Sequence, residues 1–178
     1  MANKTRLGSI GGVQIIAERS VIFPSLVLWA SALIVLWVAL DLRLLPALGW
    51  ATAALAVHWT SIFVHHFGHA AAARLSGHPM QALILTGPLG RDQYPEDEPE
   101  LPVRVHAARA LGGPIASLTA GGAVALWLLS ADAANLTLRI VVGFGAAESL
   151  LVLGVGVFLP LGYTDGSTLL NLWRTGSP

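Results

Sequence analysis

The sequence predicts an all-helical membrane protein: a bundle of about four transmembrane helices with a small cytoplasmic β-sheet. Composition is the first reason. Hydrophobic residues make up 54% of the chain and charged residues only 11%, against about 25% charged in a soluble domain. That is too little charge to cover a surface facing water. Mean hydropathy is +0.68. The second reason is that the charges are spaced so as to leave four long apolar stretches. With 178 residues, the helices are expected to share one bundle and form a single domain over 1–178.

A spanning helix needs about 20 mostly apolar residues. The first expected span, 21–40, carries no charge. The second, 47–73, lies between Arg43 and Arg74. The third, 110–131, lies between Arg109 and Asp132. The fourth, 140–160, is interrupted only by Glu148. The first span is longer than the apolar core of a cleaved signal peptide, about 7–15 residues, so it is read as a retained helix. With four spans, both termini and the loop between spans two and three lie on one side. Lys4, Arg6, Arg19, Arg74, Arg91, Arg104, Arg109 and Arg174 collect there, against Arg43 and Arg139 on the other. By the positive-inside rule that side is cytoplasmic. The expected location is a bacterial or archaeal cytoplasmic membrane.

Two short apolar runs read as strands on that side. They are Val13–Ile16, and Met80–Thr86 ending at the turn signal Gly87-Pro88. Paired, they would form a small sheet, and the strand around Met80–Leu85 would offer an edge to an unwound substrate. The acidic, Pro-rich stretch from Asp92 to Pro102 is expected to be mobile and solvated. Zero net charge and the lack of a basic stripe exclude a nucleic-acid partner. With no cysteine there is neither a disulfide framework nor a thiolate metal site.

The chemistry concentrates in His65-His66-Phe67-Gly68-His69, within the second span. His65 and His69 are four residues apart, which puts both rings on one helix face. That suits two ligands of a tetrahedral zinc ion. The third ligand must come from elsewhere. Asp165 is the one carboxylate at the same expected depth, following the helix-breaking Pro160 and Gly162. A broken helix is tolerated within a membrane where its freed backbone faces protein or a water-filled cavity. A single buried histidine is commonly a packing residue, but three in five residues of an apolar span point to function. From spacing alone, haem ligation or a proton path remains an alternative.

The motifs resemble those of the site-2 proteases, intramembrane zinc metalloproteases. Val64 to Ala70 resembles their H-E-x-x-H helix. Gly112-Gly113-Pro114-Ile115-Ala116-Ser117 resembles their Gly-Pro-Leu-Ala-Asn segment. Leu159 to Gly166 resembles their Pro-x-x-x-x-Asp-Gly segment, and Leu85 to Gly90 their membrane-edge strand. The segments occur in family order from Gly8 to Leu172. The resemblance implies one zinc ion held by His65, His69 and Asp165. It implies hydrolysis of a peptide bond in a transmembrane protein substrate near the cytoplasmic face. Ser117 falls where a small or polar residue helps to hold the substrate carbonyl.

Three positions depart from the family pattern. His66 stands where the family has its general-base Glu, Val157 where it usually has Asn, and Tyr163 where Pro is common. Loss of a general base typically slows a reaction about 10²–10⁴-fold, although imidazole can act as a base near neutral pH. Three outcomes are open. His66 serves as the base; or hydrolysis is nearly lost, and the chain is a pseudoprotease that holds a partner helix or joins a larger membrane complex; or His66 becomes a metal ligand. Ligation by His66 requires distortion, because adjacent helical residues diverge by about 100°. Two further expectations concern the rest of the chain. His58 and Glu148 are expected to pair within the membrane. His78 and His106 are read as solvated loop residues, and Gly143 to Ala147 as a helix contact face.

Overall fold

The computed structural model describes residues 4–130 and 135–175. Residue 131, the end of the third expected span, and the two chain ends lie outside the described residues. Among the described residues, four helices are long and apolar enough to cross a membrane: Arg19–Ala39, Leu44–Leu75, Val103–Ser130 and Leu136–Phe158. Within them, α1 is Ile22–Ile34, α2 is Leu44–Leu75, α3 is Val103–Ser130 and α4 is Leu136–Ala147. A short helix, α5 (Asp165–Thr175), follows. Helix α1 has no buried residue. Phe23, Leu45, Leu129 and Leu151 are exposed on different helices, as expected where lipid replaces water as the solvent.

Two helices differ from expectation at their ends. Helix α3 begins before 110, at Val103, because Pro102 starts it: the Val105 N–H donates to the Pro102 carbonyl at 2.8 Å. Proline suits a helix start, where its missing N–H is not needed. As a result His106 lies on a helix and not in a loop. Helix α4 starts at Asn135, whose side chain accepts from the Leu138 N–H at 3.1 Å. It continues as a π-helical stretch, Glu148–Val155, and a tight turn, Gly156–Phe158. Such widened turns concentrate at functional sites.

The strands are β1 (Lys4–Ile10), β2 (Val13–Glu18), β3 (Ala82–Thr86) and β4 (Leu89–Gln93). They form one sheet in the order β1-β2-β3-β4. The two predicted strands, β2 and β3, pair in parallel. This follows from topology, since α1 and α2 carry the chain away and back before β3. Two hairpins enlarge the sheet. Gly11 and Gly12, both at positive φ, turn β1 into β2, and Gly87 at φ +55° with Pro88 turns β3 into β4.

The edge-strand expectation needs correction. Strand β3 is paired on both sides and buried, so the sheet edge nearest the second span belongs to β4. The acidic stretch is likewise not free. Asp92 belongs to β4, Leu101 is buried, and Glu98 is clamped by Arg109 through contacts of 2.8 and 2.6 Å. A buried guanidinium demands a carboxylate partner, and that demand draws the segment onto the protein.

Candidate metal centre

The close crossing of α2 and α3 creates the site. A Cβ on Gly68 would lie 2.3 Å from the Gly112 carbonyl oxygen, and one on Gly112 would lie 2.5 Å from that of Gly68. The two backbones therefore touch, and only glycine permits it. This brings His65 and His69 of α2 against Gly113 of α3. The close contact between α2 and α4 falls on Gly145, where a Cβ would meet Val57 at 2.4 Å, and not on Gly143.

His65, His69 and Asp165 converge. The Nε2 atoms of the two histidines are 3.0 Å apart. Asp165 Oδ2 lies 3.5 Å from His65 Nε2, and Oδ1 lies 3.5 Å from His69 Nε2. A tetrahedral zinc ion with ligands at 2.0–2.1 Å has ligand-to-ligand edges of about 3.3–3.4 Å, so these spacings fit one ion. Asp165 reaches the site because the chain leaves the fourth span at Phe158, turns at Gly162 (φ +90°), and begins α5 with this residue.

The outer contacts of the rings set their tautomers. His69 Nδ1–H donates to the Arg109 carbonyl at 2.7 Å, which leaves the lone pair of the neutral ring on Nε2. Ser117 Oγ lies 3.1 Å from His65 Nδ1; where the hydroxyl accepts, His65 takes the same tautomer. With both rings in that tautomer the two Nε2 lone pairs face each other, an arrangement that a shared cation would satisfy. Hydrogen bonds of this kind on the far nitrogen are the usual support of metal-bound histidine. Ser117 is fully buried, with its hydroxyl engaged by His65.

His66 points elsewhere. Its Nδ1–H donates to Asp92 Oδ1 at 2.8 Å, and a Cβ on Gly90 would lie 2.7 Å from its Nε2. The ring is thus held between the two ends of a β4 segment. Ligand-type atoms of His66, His69 and Asp92 also lie within 4.8 Å of one another. Asp92 was not singled out by the sequence reading. A polar cavity of about 280 Å³ opens beside the group, lined by His69, Asp92, Tyr94, His106, Arg109 and Asp165.

Arg109 braces that cavity. Its guanidinium binds Glu98, reaches the His78 carbonyl at 2.7 Å, and lies 3.9 Å over the Tyr94 ring. The hydrogen bond from Arg109 holds the Glu98 carboxyl below its ordinary range. Burial, followed by the charge of Asp92, pushes the Tyr94 phenol up, so it stays neutral. His78 lies 3.8 Å from Glu98.

The second expected intramembrane group is present. His58 Nδ1 and Glu148 Oε1 are 2.5 Å apart, and His58 Nε2–H donates to the Pro88 carbonyl at 3.0 Å. The carbonyl can only accept, so one proton is shared between Nδ1 and the carboxyl group. The other carboxyl oxygen, Oε2, is buried without a partner.

Among the described residues, four membrane-length helices and a small mixed sheet surround a His/His/Asp group that could hold a metal ion. The site-2 protease from Methanocaldococcus jannaschii has a solved structure that this chain matches with a TM-score of 0.64. The match covers 97% of this chain and 72% of that one, at 18% sequence identity. The chain therefore has the site-2 protease fold. No protein-family model matches the sequence, and no curated protein matches it.

Proposed function

We propose that this protein is a membrane-embedded zinc peptidase that hydrolyses a peptide bond in a transmembrane protein substrate. The ligand set is His65, His69 and Asp165. The observation that carries the reading is the convergence of three ligand residues, His65 and His69 with Nε2 atoms 3.0 Å apart and each 3.5 Å from an oxygen of Asp165, the two histidines on a helix long enough to cross a membrane. Zinc would supply a Lewis acid that polarises a carbonyl and makes water acidic enough to lose a proton near pH 7. The chain's own residues do the rest. Arg109 and Ser117 orient the two rings, the cavity beside Asp165 admits water, and the free edge of β4 accepts an unwound substrate segment as an added strand. The charge asymmetry supports cytoplasmic termini.

A second reading has a specific observation in its favour. His66 stands where the family has its Glu, and its Nδ1 is engaged by Asp92 while its Nε2 lies beside Gly90. On this reading the chain is a pseudoprotease, holding a partner helix or serving in a larger membrane complex. Purified protein and a transmembrane reporter separate the two. The protease reading requires cleavage that His65→Ala abolishes. Cleavage by His66→Glu but never by wild type would establish the pseudoprotease.

A further inference from the structure

The substitution of His66 removes a carboxylate from the helix, but not from the site. Strand β4 delivers another. Asp92 lines the polar cavity together with His69 and Asp165, whereas His66, among the described residues, does not. The Asp92 carboxylate is partly open, with 16% of its side chain exposed. One of its oxygens lies within 4.8 Å of a ring nitrogen of His69, as does a ring nitrogen of His66, a separation that a single water can bridge; of the two, only Asp92 lines the cavity. His66 is closed off. Its Nδ1–H is spent on Asp92 at 2.8 Å, its side chain is only 9% exposed, and its Nε2 lies beside Gly90, where an added methyl group would fall 2.7 Å away.

We propose that Asp92 is the general base of this site, and that His66 is the positioning residue that aims it. The proposal rests on the hydrolytic reading above. The carboxylate brings a negative charge, which imidazole does not. In the reaction the water oxygen bonds to the scissile carbonyl carbon, and its proton passes to Asp92. Asp92 then hands that proton to the amide nitrogen as the C–N bond breaks. The products are a carboxylic acid and an amine, with no other reactant needed. The base has thus moved from the helix to the neighbouring strand, and His66 is the residue that couples the two elements.

The test uses the full chain in detergent, as wild type, Asp92→Asn, His65→Ala and the double variant His66→Glu/Asp92→Asn. Three quantities are read: zinc per chain, affinity for a peptide hydroxamate, and cleavage of a transmembrane reporter. A hydroxamate chelates zinc and donates its hydroxyl to a neighbouring base. Asp92→Asn should keep its zinc, lose about 10²–10⁴-fold in cleavage, and bind the hydroxamate about 10-fold or more weakly, the worth of one hydrogen bond to a charged group. The double variant, with a carboxylate restored on the helix, should regain both. Loss of zinc in Asp92→Asn would make Asp92 a ligand and overturn the proposal, as would unchanged hydroxamate affinity. Wild-type cleavage by Asp92→Asn would overturn the base alone. A zinc-loaded wild type that cleaves nothing would overturn the hydrolytic reading, and the base with it.

Discussion

Gly113→Ala is the sharpest perturbation available, because one methyl group would enter the space between the two histidines. Its Cβ would lie 2.3 Å from His69 Nε2, 2.5 Å from His69 Cε1 and 2.7 Å from His65 Cε1. Comfortable contacts are about 3.5–4.0 Å, so about 1 Å of separation must be found. The backbone cannot supply it. Helix α3 is locked against α2 at Gly68 and Gly112, and Pro114 is fully buried. The rings must therefore move, and the 3.0 Å spacing of the Nε2 atoms opens far past the tolerance of about 0.2 Å for metal ligands. Disturbing groups that only support ligands already costs 10–100-fold in affinity, so displaced ligands should cost at least about 100-fold. Zinc at 100 times its wild-type Kd stabilises the fold by about 2.7 kcal/mol. The same zinc concentration would stabilise Gly113→Ala by only about 0.4 kcal/mol. Chelator competition gives the affinity, and melting with and without zinc gives the stabilisation. If folded Gly113→Ala binds zinc as tightly as wild type, the two rings do not converge as described.

Further outcomes follow from other contacts. His58→Ala or Glu148→Gln should destabilise the protein by about 3–5 kcal/mol, as expected when one member of a buried pair is removed. The double variant should show strong coupling in denaturant titrations, and additive losses would disprove the pairing. Arg109→Ala should also loosen the site, because Glu98, Tyr94 and the His78 carbonyl all lose their partner. Stability should show an acid limb. The Glu98 carboxyl sits below its ordinary value of 4.5, so its contribution is fully present above that value and is lost as the pH falls through the lower, folded-state value. Glu98→Gln should flatten this limb in melts recorded across pH 3–6; an unchanged limb would assign it to other groups. Gly112→Ala should separate α2 from α3 and destabilise the protein by about 1–3 kcal/mol or more, measured by the same titration.

The spans were legible because charge is nearly absent from them, and a membrane leaves few alternatives to a long apolar helix. The pair His65 and His69 was legible because helical spacing alone fixes their shared face. Asp165 needed the broken end of the fourth helix to bring it in, a feature marked by Pro160 and Gly162. Strands β1 and β4 were missed for different reasons. Strand β1 is exposed throughout, and Leu7 and Ile10, its two large apolar residues, are three apart, so no apolar alternation marks it. Strand β4 begins after a recognised turn, but its Arg91-Asp92-Gln93 end reads as the start of a solvated acidic stretch. Asp92 has no mark of its own there, since the pairing of β3 with β4 is what brings it against His66. The π-helical turn at Glu148 has no sequence signal beyond the buried carboxylate itself.

Metal content tests the account most directly. Purified wild-type protein should hold one zinc ion per chain. His65→Ala, His69→Ala and Asp165→Ala should each lose it, and His66→Ala should keep it. A wild type that retains no metal, or a metal indifferent to all three ligand substitutions, would contradict the account.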